Sequence, residues 1–398
     1  MQITTRSIFN KVILTFIISS FTLAPLAQAN SAQIAPPPSL AVKAYLLKDF
    51  NSGRIIAAQN SKMRIEPASL TKIMTAYLSF KALKNGHLQL ANTLPVSEYA
   101  WKVEGSKMFI EPQKQTCDVL KEKCLPTVDE LLHGMIIQSG NDASIALAEG
   151  IASSEMQFAE MMNKEAQRLG MKNTHYMNAT GLPDANHYTT AEDLAILASA
   201  LIYDFPDQYK RLYSVKEYTY NKITQPNRNR LLWLDPNVDG MKTGHTESAG
   251  YCLISSAKRE GVRRISVVLG APTDAARATE SQKLLNYGFQ FFDSSLVYKQ
   301  GQSINLLKVW KGSENQVAAT VANDLYVTLP KGEYANVKAI MSSTQPLIAP
   351  IKKGQIIGNV KFMLNGAVID ERSLVSAKEV KVAGIFGRAW DSIKLLLH

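Results

Sequence analysis

Between Leu40 and Leu269 the spacing of apolar residues switches twice, from strand to helix and back, and that order confines the chain to a narrow fold class. Leu40 to Lys48 and Arg54 to Ala58 read as strands of a hairpin, joined by the turn-forming Asn51-Ser52-Gly53. Leu70, Ile73, Met74, Tyr77 and Leu78 then recur at helical spacing and stop at Asn85-Gly86. Thr127 and Glu130 make a capping box ahead of Leu131, Leu132, Met135 and Ile136. That helix ends near Gln138, which leaves Ser139 and Asn141 on a loop before a helix from Ala143 to Ile151. Phe158, Met161, Met162, Ala166 and Leu169 line a further helix up to Gly170, and Thr189 with Glu192 opens another from Asp193 to Ile202. Strand alternation returns in Gly250 to Ala257 and Val262 to Leu269 around Glu260-Gly261, and Ser281 to Phe292 reads as a closing helix. Strands at both ends with helices between predict an α+β sandwich over residues 38–292, its N- and C-terminal strands sharing one antiparallel sheet flanked by helices.

From about Asp293 the pattern changes. Short β-rich runs such as Leu325 to Leu329 and Gln355 to Phe362 alternate with Pro330-Lys331-Gly332, Lys353-Gly354 and Asn365-Gly366. This predicts a small all-β domain over 293–376. Helical period resumes in the tail, 377–398. Val382, Ile385, Phe386, Ala389, Trp390, Ile393, Leu396 and Leu397 fall on one face, with Lys381, Arg388, Asp391 and Lys394 on the other. An amphipathic helix of this kind lies in a membrane interface or packs on its own domain, and its charges exclude a spanning helix.

The N-terminus reads as an export signal rather than as part of the fold. Arg6 and Lys11 precede an apolar run from Val12 to Leu23, and Ala27-Gln28-Ala29 supplies small residues for cleavage after position 29. The run is shorter than the roughly 20 residues a membrane span needs. The formal charge of +10 comes without a basic helix or an aromatic-interleaved motif, so nucleic acid is not an expected partner. Anionic lipid or cell-wall polymer fits an exported basic protein better. Six scattered histidines give no zinc signature, and neither metal nor cofactor is expected. Of the three cysteines, Cys252 alternates within a strand as a core residue. Cys117 and Cys124 bracket a short polar excursion that a disulfide could close in an oxidising compartment; two thiols of a metal site are the alternative.

Chemistry concentrates in three strings, in the order Ser69-Leu70-Thr71-Lys72, Ser139-Gly140-Asn141 and Lys242-Thr243-Gly244. They supply a nucleophilic hydroxyl, an amine to take its proton, a hydroxyl–amide relay and a cationic strand, a set suited to acyl transfer through a serine ester. Ser69 opens a helix, so Ser69 and Lys72 point the same way. Ser255 and Lys258 have the same spacing but fall in a strand, where residues three apart face opposite sides.

With these strings extended to Pro67-Ala68-Ser69-Leu70-Thr71-Lys72, Gln138-Ser139-Gly140-Asn141-Asp142 and Asp239-Gly240-Met241-Lys242-Thr243-Gly244-His245-Thr246, and with Asn227-Arg228-Asn229 and the Arg277 segment, the chain resembles the low-molecular-weight penicillin-binding proteins. These are the serine-type D-alanyl-D-alanine carboxypeptidases of bacteria. The resemblance covers nearly everything after the export signal and implies a β-lactamase/transpeptidase-like sandwich, a β-rich C-terminal domain and an anchoring tail. It implies that Ser69 attacks the carbonyl between two terminal D-alanines of a muropeptide. Lys72 would take the serine proton, Ser139 would relay a proton to the leaving D-alanine and Asn141 would bind the substrate amide. Lys242 and Thr243 would face the terminal carboxylate, the strand through Gly244 would pair with the peptide, and the N–H groups of Ser69 and His245 would form the oxyanion hole. Arg228 and Arg277 match arginines tied to the carboxylate region, with structural ion pairs as the alternative. β-Lactams are the implied covalent inhibitors, the periplasmic face of the inner membrane the implied location, and peptidoglycan maturation and cell shape the implied role. Between Trp101 and Phe109 the chain is shorter than that family's loop, and the cysteine-bracketed stretch is an addition.

Two other functions share parts of this pattern. A serine β-lactamase needs a carboxylate to activate water, and Asn173 to Gly181, where it would fall, holds no acid. A wall-bound scaffold would not need an intact serine–lysine pair.

Overall fold

The structure, a computed structural model, describes residues 35–111 and 125–396. The expected signal segment 1–29, the Cys117–Cys124 disulfide and Leu397 lie outside the described residues.

The chain begins with the expected hairpin, β1 (Ala44–Asp49) and β2 (Ile55–Gln59), although β1 starts at Ala44 rather than Leu40. A 3₁₀ turn, Ala68–Thr71, leads into α1 (Lys72–Lys84). There follow α2 (Glu98–Lys102), α3 (Val128–Ile137), α4 (Asn141–Ala152), α5 (Glu155–Leu169), α6 (Ala191–Asp204) and α7 (Pro206–Leu212). The Thr127–Glu130 capping box forms as expected at the start of α3. At α6 the cap is one residue later than expected: Thr190 accepts from the Asp193 N–H. A small hairpin, β3 (Glu217–Tyr220) and β4 (Ile223–Pro226), precedes α8 (Leu231–Leu234). The last three strands of the domain are β5 (Val238–Thr246), β6 (Gly250–Arg259) and β7 (Val262–Ala271). Glu260 and Gly261 both take positive φ, 49° and 84°, as a two-residue hairpin turn between twisted strands requires. The closing helix α9 spans Asp274–Phe291, two turns longer than expected at its start, because Thr273 caps it by accepting from the Ala276 N–H.

The sheet runs β2-β1-β7-β6-β5, antiparallel throughout, so the N-terminal hairpin is zipped to the last strands through β1–β7 pairs such as Ala44↔Leu269. Strand alternation then divides the core. Leu46, Cys252, Ile254 and Val267 face the helical middle, packed with Leu70, Ile73, Met74 and Phe80. Tyr45, Leu47, Leu253 and Val268 face the other way, against Leu284 and Leu285 of α9. Burying both faces makes β1, β6 and β7 rigid supports. The same alternation separates the spurious pair: Ser255 is buried and Lys258 is exposed.

The β-rich part has its own core, with Val317, Val327, Ile357 and Leu374 among its members. Phe292–Tyr298 pairs with Leu325–Pro330, and a six-stranded sheet holds the remaining strands. A buried polar cluster joins the two parts. Arg264 is ion-paired with Asp49, and the Asp49 carboxylate accepts from Ser294 Oγ at 2.6 Å. Thr328 Oγ1 lies 2.7 Å from Ser294 Oγ and 2.6 Å from Ser52 Oγ, and Arg54 donates to the Thr328 carbonyl at 2.6 Å.

The tail forms the helix Ile385–Leu396 with none of its residues buried. Phe386 is 92% and Ile385 74% exposed. Its link to the β-rich part is polar, the Lys311 N–H donating to Asp391 Oδ2 at 2.6 Å. No helix among the described residues is long and apolar enough to cross a membrane.

Candidate active site

The 3₁₀ turn ahead of α1 presents Ser69 at the wall of a cleft of about 690 Å³. One turn on, Lys72 is the first residue of α1, and its Nζ lies 3.0 Å from Ser69 Oγ. Two further acceptors hold that amine: Asn141 Oδ1 at 2.7 Å and the Thr180 carbonyl at 2.6 Å. An amine has two N–H groups and one lone pair, so two fixed acceptors leave the lone pair for the Ser69 hydroxyl. Burial, assisted by the positive charge of Arg228, lowers the Lys72 pKa to about 7, with Asp142 and Glu155 opposing.

Ser139 takes a left-handed backbone (φ 63°) between α3 and α4. Asn141, expected on the loop, is instead the first residue of α4. Its amide donates to the Glu104 carbonyl at 2.6 Å while its oxygen faces Lys72, so one side chain ties the cleft rim to the amine. Gly105 follows the rim carbonyl because a Cβ there would sit 2.8 Å from Asn141 Nδ2. Asp142 pins the rest of the rim by accepting from the Met108 and Ile110 N–H groups at 3.0 and 3.2 Å.

Opposite runs β5. Lys242 Nζ is buried 3.0 Å from Ser139 Oγ, and burial together with Lys72, Arg228 and Arg277 brings its pKa well below that of an ordinary lysine. Gly244 is where the strand crosses the serine turn: a Cβ would be 3.1 Å from the Pro67 carbonyl oxygen. His245 is exposed and stacks on Tyr251 at 4.0 Å between centroids. Arg277 donates to the Gly244 carbonyl at 3.3 Å and is ion-paired with Asp274. Arg228 also lines the cleft and has no hydrogen bond or ion pair among the described residues.

The structure thus brings Ser69, Ser139, Thr243, Gly244, His245, Arg228 and Arg277 to the lining of one cleft, with Lys72, Asn141 and Lys242 buried behind it, Lys72 bonded to Ser69 and Asn141 and Lys242 to Ser139. Sequence reasoning missed the Thr180 and Glu104 carbonyls, which have no residue signature. It also missed Arg230 and Asp274, which line the cleft as a 3.5 Å ion pair. Among the described residues no group of three His, Cys, Asp or Glu side chains could hold a metal ion.

Comparison with known proteins gives the family. A family profile described as D-alanyl-D-alanine carboxypeptidase matches residues 30–273. This chain belongs to that family. A second profile, Penicillin-binding protein 5, C-terminal domain, matches residues 292–382 of the carboxypeptidase. The D-alanyl-D-alanine carboxypeptidase DacC of Escherichia coli (strain K12) is 42% identical over 95% of this chain and 94% of its own. DacA of Haemophilus influenzae is 42% identical over 90% of each. Among solved structures, penicillin binding protein 5 from Haemophilus influenzae superposes with a TM-score of 0.82 at 41% identity, covering 87% of this chain and 99% of that one. Penicillin-Binding Protein D2 from Listeria monocytogenes, in an ampicillin-bound form, matches at a TM-score of 0.57 and 30% identity, covering 64% of this chain and 100% of its own. The serine carboxypeptidase therefore has its α+β fold and β-rich C-terminal domain in common with its relatives.

Proposed function

We propose that the carboxypeptidase removes the terminal D-alanine from peptidoglycan pentapeptide side chains through a Ser69 acyl-enzyme. The observation that carries this is the buried, weakly basic Lys72 amine 3.0 Å from Ser69 Oγ. Ser69 Oγ adds to the carbonyl carbon between the two D-alanines as its proton passes to Lys72 Nζ. The oxyanion is met by the N–H groups of Ser69 and His245, a contribution of several kcal/mol. Collapse breaks the C–N bond, and Ser139, beside Lys242, relays the proton taken up by Lys72 to the departing D-alanine nitrogen, which restores the Lys72 amine and leaves Ser139 with its hydroxyl. Water then hydrolyses the ester and regenerates Ser69. Lys242, Thr243, Arg228 and Arg277 hold the substrate's terminal carboxylate, and β5 through Gly244 pairs with the extended peptide beside Asn141. A penicillin amide enters the same first step and forms a penicilloyl ester.

The carboxypeptidase is exported through residues 1–29 and works at the periplasmic face of the inner membrane in peptidoglycan maturation and cell shape. The domain at 38–292 carries the chemistry, 293–376 serves as a spacer and 377–398 anchors it in lipid. Rapid turnover of penicillin as a β-lactamase lacks support in the cleft, where the one acidic lining residue among the described residues, Asp274, is engaged with Arg277 and Arg230.

The test is the mass of the protein after penicillin, together with D-alanine release from a synthetic peptide ending in D-Ala-D-Ala. Stable labelling at Ser69 with D-alanine release supports the reading. No label in the folded protein refutes it, and complete rapid hydrolysis of penicillin favours the lactamase.

A further inference from the structure

Between α5 and α6 the segment 178–187 crosses behind the serine turn at backbone contact. Gly181 has φ +84°, and a Cβ built there would stand 1.8 Å from the Ala68 carbonyl oxygen. The segment is self-bonded: Asn178 Oδ1 accepts from the Gly181 N–H at 2.7 Å, and the His187 N–H donates to the Asp184 carbonyl at 3.0 Å. It meets the serine turn and α1 through three hydrogen bonds. Thr75 Oγ1 donates to the Ala179 carbonyl at 2.7 Å, and Lys72 Nζ donates to the Thr180 carbonyl at 2.6 Å. His187 Nε2 lies 2.9 Å from Thr71 Oγ1, the one contact of the three made by a side chain of the segment.

We propose that His187 is a positioning residue for the serine–lysine pair, its bond to Thr71 clamping the segment so that the Thr180 carbonyl stays on Lys72 Nζ. His187 is 2% exposed, and its Nδ1 has no partner among the described residues. A ring kept only to fill space would be better as an apolar residue, since an unpaired buried nitrogen costs free energy. Tyr176 packs edge-on against the ring at 5.7 Å and fixes its plane. Burial keeps the imidazole neutral, its pKa lowered to about 4 with Asp184 opposing and His175 assisting. It is therefore a constant hydrogen-bonding clamp at neutral pH. If the clamp is released, the segment lifts, water reaches Lys72 and its pKa climbs back toward that of an ordinary lysine.

The inference rests on Lys72 being the base. Its test is the pH dependence of acylation by penicillin, followed by mass on the full chain, with melting temperature measured alongside. His187→Leu should move the acidic limb upward by about one pH unit, a loss of about tenfold below the limb that recovers above it. In His187→Gln an amide N–H still reaches Thr71 Oγ1, and the limb should stay near wild type. Thr71→Val, which keeps the shape and removes the hydroxyl, should repeat the Leu shift, and the double variant should add nothing further. An unmoved limb in Thr71→Val and in any folded His187→Leu overturns the inference, whatever the melting temperatures do. Wild-type protein that is not acylated at Ser69 would instead overturn the reading of function itself.

Discussion

Asn141 Oδ1 and Lys72 Nζ are 2.7 Å apart, and this bond sets how the amine is oriented toward Ser69. With the Thr180 carbonyl it occupies the two N–H groups of the neutral amine. The second string of the sequence therefore touches the first through its asparagine, while its serine meets the third string at Lys242.

The first prediction follows from the Lys72 pKa of about 7. The reactive form is the amine, so acylation should rise with pH. Below about 7 each unit of pH removes about tenfold of the amine, and above it the rate should level. Lys72→Arg keeps the charge but cannot accept a proton, and its acylation should fall to background. Near-normal labelling of Lys72→Arg at neutral pH would show that charge alone matters.

Asn141→Asp should shift that same limb. A carboxylate 2.7 Å from Nζ favours the ammonium form, so the Lys72 pKa rises and the limb moves to higher pH. The expected shift is about one to two units, with partial recovery of rate in alkaline buffer. A variant equally impaired at every pH would indicate that Asn141 acts on substrate rather than through Lys72.

The joint between the two domains gives a stability prediction. Arg264 is wholly buried and ion-paired with Asp49, whose carboxylate also receives Ser294 Oγ. Asp49→Ala leaves a buried guanidinium without its partner and should cost about 3–5 kcal/mol in denaturant unfolding. The pH limb of any folded fraction should not move, because the cluster lies away from the cleft lining. A loss under about 1 kcal/mol would mean that water enters the cluster and supports the charge.

What the sequence made legible was local or periodic. The Thr127–Glu130 box needs only neighbours in sequence, and it forms. At α6 two adjacent threonines each precede an acid by three residues, and tertiary structure chooses between them. Thr189 is already paired with Ile65 through its backbone and with Thr174 through its hydroxyl, which leaves Thr190 to cap. The β3–β4 hairpin carries a weak signal because each strand has only four residues and none of them is buried. Its turn also uses Asn221-Lys222 at φ 47° and 63°, where a glycine would have signalled it. The serine–lysine pair was readable because helical spacing alone brings the two together. The Thr180 carbonyl, 108 positions from Lys72, was not, because main-chain oxygens are identical at every residue.

The last prediction concerns the tail. Val382, Ile385, Phe386, Trp390 and Ile393 are exposed, and the helix Ile385–Leu396 buries none of its residues on the β-rich domain. Cutting the chain before Ala377 should leave penicillin labelling intact and move the protein from the membrane fraction to the soluble one. Each CH₂ that enters the interface contributes about 0.8 kcal/mol before ordering costs, and Lys381, Arg388 and Lys394 add roughly 1 kcal/mol each with anionic lipid. High salt should thus weaken attachment to vesicles without abolishing it. Phe386→Asp with Ile393→Asp should release the protein with little change in melting temperature, since neither side chain is buried in the fold. A large drop in melting temperature with attachment retained would mean that the helix belongs to the fold and that lipid contact is made elsewhere.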